Sequence, residues 1–86
     1  MTEEKIGEVI KFFTKPSVVA VKITTGELKV GDTIRIVGHT TDLQEVVGSI
    51  EVDNNKIERA AAGDFVGIKI ADRARAGDEV FKVTSN

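Results

Sequence analysis

Apolar and polar positions alternate in short runs along most of this chain, with a period of two rather than the helical period of about 3.6. Thr33 to Val37 shows it most cleanly, with Ile34 and Ile36 on one side of a strand and Thr33 and Arg35 on the other. Ile6 to Phe13 reads as a first strand, but its alternation slips at Val9-Ile10, which predicts a bulge or a twist. Val18 to Thr24 is β-branched and nearly continuous in apolar character, as in a strand covered on both faces. Phe65 to Ile70 places Val66, Ile68 and Ile70 inward, and Glu79 to Val83 is the last strand. Turn signals separate these runs: Thr14-Lys15-Pro16-Ser17 around the only proline, Thr25-Gly26, the polar Gly38–Asp42 and Asp53-Asn54-Asn55.

One stretch is ambiguous. Leu43, Val46, Val47 and Ile50 fit a helix face that Asp42 could cap. Val46, Gly48, Ile50 and Val52 equally fit one face of a strand, and Gly48 costs a helix about 1 kcal/mol against alanine. Strand is the preferred reading. Six or seven short strands at roughly 8–12-residue spacing then predict a small barrel or sandwich, since closure removes exposed edges.

Composition narrows the class without naming a chemistry. At 86 residues there is room for one core, here residues 6–83, with tails expected at 1–5 and 84–86. The 41% hydrophobic content excludes a disordered chain. No cysteine is present, so disulfides and thiolate metal sites are excluded. No apolar run approaches the roughly 18–20 residues that span a bilayer, and the acidic start lacks signal-peptide character, so a cytoplasmic location and no membrane partner are expected. Six basic and six acidic residues in the first 43 positions, then six and eight in the last 43, give a net charge of −2. Neither half has the cationic excess of a sequence-independent phosphate binder.

Gly-Asp precedes a strand-like run three times, at Gly31-Asp32, Gly63-Asp64 and Gly77-Asp78. Glycine lets the backbone turn without a Cβ penalty, and Asp32 and Asp64 can accept from turn amides. Gly26 to Gly38, Val47-Gly48-Ser49-Ile50-Glu51 and Ala61 to Ile68 stand in the order and spacing of three motifs. Through them the chain resembles the second domain of translational GTPases of the elongation factor Tu type, over roughly residues 6–83. The resemblance implies an all-β fold, a small closed antiparallel barrel of six or seven strands of the translation-factor domain-two type. No G-x-x-x-x-G-K-S/T phosphate loop occurs, so no GTP partner is expected. Asn55-Lys56-Ile57-Glu58 superficially matches a guanine-reading motif and reads as a turn plus strand.

In proteins of that type the barrel holds the 3′ end of aminoacyl-tRNA, and the resemblance places Glu51 in the adenosine pocket. Pro16-Ser17 and Val21 replace the family's small residues there, which argues against that ligand. Lys11, Lys22, Arg35 and Lys69 fall at outward strand positions and would form a cationic stripe if neighbouring strands aligned them. There is no Trp or Tyr. Phe12, Phe13, Phe65 and Phe81 are core candidates, with Phe13 or Phe65 available for exposure. His39 has no catalytic partner motif, and no metal-ligand spacing is present. No cofactor and no enzyme activity are expected. The leading reading is a binding module for RNA or the translation machinery, and the alternative is an accessory module docking onto a partner protein.

Overall fold

The computed structural model describes residues 2–84. Ten strands follow in order: β1 Thr2–Phe13, β2 Val18–Ile23, β3 Glu27–Lys29, β4 Thr33–Val37, β5 Asp42–Val46, β6 Ile50–Val52, β7 Asn55–Ile57, β8 Arg59–Ala61, β9 Phe65–Lys69 and β10 Glu79–Thr84. Eight of them pair in the order β5-β4-β10-β1-β2-β9-β6-β7, and β3 with β8 forms a separate ribbon. Every pairing is antiparallel. Among the described residues no helix is long and apolar enough to cross a membrane.

The all-β expectation holds, and two details of it are corrected. There are ten strands rather than six or seven, and the ladder stays open, with β5 and β7 at its ends. The cause lies at Val47-Gly48-Ser49, which leaves strand geometry between β5 and β6. The four steps from Val46 to Ile50 span at most about 14 Å, yet they join the β5 end of the sheet to β6, the strand next to its other end. The sheet must therefore curl until its ends approach. The ribbon completes the core there: Leu28 and Ala60 share one buried cluster with Ile34, Val47 and Ile50.

Strand was the better reading for Leu43–Val52, but as two strands with a break. The face assignment also changes, because Val46 is 63% exposed and Val47 only 2%. The bulge foreseen in the first strand is present, as a register shift between Val9 and Lys11 against β2. Of β2, Val19, Val21 and Ile23 are fully buried while Val18 and Ala20 are half-covered and Lys22 is exposed, so only one face is sealed. Burial of each such side chain contributes about 1.5–3 kcal/mol, against about 0–1 for a surface ion pair. The inward row of β2 therefore outweighs the surface charges in holding the sheet. Thr2–Lys5, expected as a tail, runs in β1 opposite β10, with Lys5 facing Phe81. Thr84 closes β10, and the remainder of the expected C-terminal tail, residues 85 and 86, lies outside the described residues.

The three Gly-Asp steps make the same turn. Each glycine has a φ between 94° and 99°, the left-handed value that the third residue of a type II turn requires. Each aspartate amide donates back three residues, to Lys29, Ala61 and Arg75 at 3.0–3.1 Å. Its carboxylate accepts from the amide of that same residue at 2.8–2.9 Å. Each turn also clips one buried apolar residue of a distant strand or break. Gly31, Gly63 and Gly77 donate to the carbonyls of Val47, Ile23 and Val9, whose amides donate to the carbonyls of Asp32, Asp64 and Asp78, all at 2.8–2.9 Å. The third clip holds the β1 bulge, and the first fixes the β5–β6 break.

Candidate functional site

The outer face of β1, β2, β9 and β6 carries the groove on which the candidate residues converge. Its register sets Lys11 beside Ala20, Ala20 beside Gly67, and Gly67 beside Glu51. The flanking rows set Phe13 beside Val18 and Lys69 on one side, and Lys22 beside Phe65 on the other. Small residues at the centre leave a depression of about 420 Å³, lined by Phe13, Pro16, Val18, Phe65 and the Val52–Asn54 turn among others. Gly67 keeps its floor open, since a Cβ there would stand 3.2 Å from Val18 Cγ1. Phe13 and Phe65 stay 42% and 60% exposed. Half-exposed phenyl rings at both ends of one apolar-floored groove are an unusual cost for a protein surface and mark contact sites.

The rings are held by cations. Lys11 Nζ lies 5.0 Å from the centre of the Phe13 ring and Lys22 Nζ 5.4 Å from that of Phe65, geometry worth about 0.5–1 kcal/mol each at an exposed site. Among the described residues, no carboxylate lies within ion-pair distance of Lys11, Lys22 or Lys69. Glu51, half-buried, stands on the opposite bank with Lys56 as its cross-strand neighbour. Lys11, Lys22 and Lys69 thus share the face around the groove, with Glu8 opposite Lys22, while Glu51 and Asp53 line the groove on the side of β6 and its turn.

Arg35 does not join these lysines. It sits on β4, separated from β2 by β10 and β1. There its guanidinium bonds Asp42 at 3.1 and 3.3 Å and Glu3 at 3.2 Å. Those bonds, and the charge of Arg35, hold the Asp42 carboxyl below its ordinary value. Asp42 is thereby committed to Arg35, leaving His39 in an exposed bend. The expected four-residue stripe does not form: Lys11, Lys22 and Lys69 share one face, spaced along it, and Arg35 makes a separate fork.

Val21 also departs from expectation. It is fully buried and points into the core with Val19 and Ile23, on the inward row of β2. Ala20 and Gly67, which sequence reasoning did not assign to the floor, are what open the groove. The signal was available in principle as two small residues at outward positions of neighbouring strands. Asn55, read from the sequence as part of a turn, begins strand β7, Asn55–Ile57. Among the described residues no group of three or more His, Cys, Asp or Glu side chains is placed to hold a metal ion.

The profile of elongation factor Tu domain 2 matches residues 17–81. The chain belongs to this family. Its curated relatives include a Methanocaldococcus jannaschii protein named only as an uncharacterised protease, 40% identical over 78 residues, covering 90% of this chain and 19% of that protein. A Porphyromonas gingivalis collagenase is 32% identical over 84 residues, covering 94% of this chain and 20% of the collagenase. This domain 2 chain thus spans about a fifth of the length of those relatives. Among solved structures, the C-terminal domain of a Geobacillus thermoleovorans protein assigned to the U32 peptidases superposes with a TM-score of 0.86 at 17% identity, covering 94% of this chain and 93% of that one. GDP-bound aIF5B from Aeropyrum pernix gives 0.63 at 17% identity, covering 93% of this chain and 14% of aIF5B. At such identities the likeness is one of fold.

Proposed function

We propose that this domain is a non-catalytic accessory module that docks, through the Phe13–Phe65 groove, onto a peptidase-type protein partner. The observation that carries the reading is the pair of exposed phenyl rings flanking an apolar floor. It agrees with the company such domains keep, since the curated relatives named as protease and collagenase continue for about four times the length matched here. Protein contact surfaces concentrate aromatic anchors in apolar depressions, and these rings supply such anchors. RNA or the translation machinery is the second reading. It rests on Lys11, Lys22 and Lys69 sharing the face and on the family's link to translation factors. Lys11 and Lys22 already stand over the two rings, so a nucleobase stacking on that side would compete with an ammonium.

Affinity capture from source cells, with and without nuclease, tests the reading. A peptidase-type chain identified by mass spectrometry, retained after nuclease and lost with Phe13→Ala plus Phe65→Ala, is the expected outcome. Retention of RNA alone, released at raised salt, would transfer the groove to the second reading.

A further inference from the structure

A second cavity, on the side where the ribbon meets the end of the main sheet, shares no lining residue with the groove. It is the larger of the two, at about 600 Å³, with Val30, Ile50 and Ile57 among its apolar lining. Lys29, Lys56 and Arg59 also line it, with Glu58.

Two of these cations are placed against each other. Lys29 and Arg59 are directly opposed in the β3–β8 ribbon, so their side chains leave the same face within a few ångströms. Like charges at opposed positions destabilise a strand pair, and the chain as a whole is acidic, with 12 basic residues against 14 acidic. Among the described residues, none of Lys29, Lys56 and Arg59 has a carboxylate within ion-pair distance, and Glu58 pairs with none of them. Lys29 and Arg59 are both exposed, and a bound anion would relieve their repulsion. The cavity's volume lies in the range of small-molecule sites, roughly 300–1,000 Å³, where an apolar lining with a few convergent polar groups is typical.

We infer that this cleft binds a small organic anion: a doubly charged head held by Lys29 and Arg59, on an apolar body lying against Val30 and Ile57. The head is a phosphate monoester or a geminal dicarboxylate, which share charge and size.

Amide chemical-shift titrations of the whole domain with hexyl phosphate and with butylmalonate test this and separate the two heads. Saturable shifts at Val30, Ser49, Ile57 and Arg59 with at least one probe are expected. Affinity should fall at least tenfold with Lys29→Gln or Arg59→Gln, and hexanol and inorganic phosphate should each bind at least tenfold more weakly than the best probe. The same variants should raise the melting temperature of the free domain by about 1–4 °C, because they remove the opposed charge, and so report that the fold is intact. Shifts spread equally over Lys11, Lys22 and Lys69, binding that survives both Lys29→Gln and Arg59→Gln, or inorganic phosphate binding as well as the best probe would overturn the inference.

Discussion

The Lys22 ammonium stands over the Phe65 ring at 5.4 Å, on the same outward face that carries Gly67. The most exposed aromatic ring of the domain is thereby held in place by its cross-strand neighbour instead of folding into the core. A ring that is 60% exposed contributes little to the fold. Phe65→Ala should therefore change unfolding free energy by no more than about 1 kcal/mol while abolishing partner retention. Urea unfolding beside a capture assay separates the two, and a loss of several kcal/mol would make Phe65 structural.

The three Gly-Asp clips have equal geometry and unequal burial. Asp78 is only 6% exposed, Asp32 is half-buried and Asp64 exposed. Alanine at Asp78 should cost about 1–3 kcal/mol, because the Arg75 amide loses its acceptor in the most buried of the three turns, whereas Asp64→Ala should cost about 0.5–1.5. Denaturant midpoints of the three variants should rank Asp78, Asp32, Asp64. Equal losses would show that burial is not what sets the value of a clip.

Gly38 has no room for a side chain, since its Cβ direction points into the Asp78 carboxylate. Gly38→Ala should displace that carboxylate from the Arg75 amide and cost at least as much as Asp78→Ala. The two changes should be strongly non-additive, because both act on one hydrogen bond. An additive double variant would contradict the shared cause.

Asp42 is held below its ordinary value of 3.8 by Arg35, first by direct hydrogen bonds and then by charge. A depressed carboxylate contributes stability that is present above its unfolded value and lost as pH falls through the lower folded one. The melting-temperature gap between the native domain and Asp42→Asn should stay constant from neutrality to about pH 4 and close below it. The pair is exposed, so the gap should be small and should shrink further at high salt. A gap that widens on acidification would reverse the assignment.

Isothermal titration with GTP should give no binding heat, because the chain carries neither a phosphate loop nor a Gly-Lys pair. Saturable heat would refute this.

Period-two alternation made the strands legible, and Ile34, Ile36, Val66, Ile68 and Ile70 are buried as that pattern requires. What could not be read is what depends on distant partners. Val47 turns inward because Gly31 and Asp32 clip it, which shifts the phase that local alternation assigns to Val46. Arg35 stands apart from the lysines because β10 and β1 come between β4 and β2 in the sheet, and Glu3, 32 residues away, reaches its guanidinium across β10. The groove was half legible. Glu51 was read as a pocket residue and the lysines as a separate stripe, and their sharing one face with a floor at Ala20 and Gly67 emerges only when β1, β2, β9 and β6 are set in register.

Site-specific photocrosslinking tests the docking account most directly. With p-benzoylphenylalanine at position 65, and at position 24 as an exposed control, irradiation in source cells should give one discrete adduct at position 65. That adduct should contain a peptidase-type polypeptide, resist nuclease and be absent from the control. A nuclease-sensitive adduct at position 65, or equal adducts at both positions, would contradict the account.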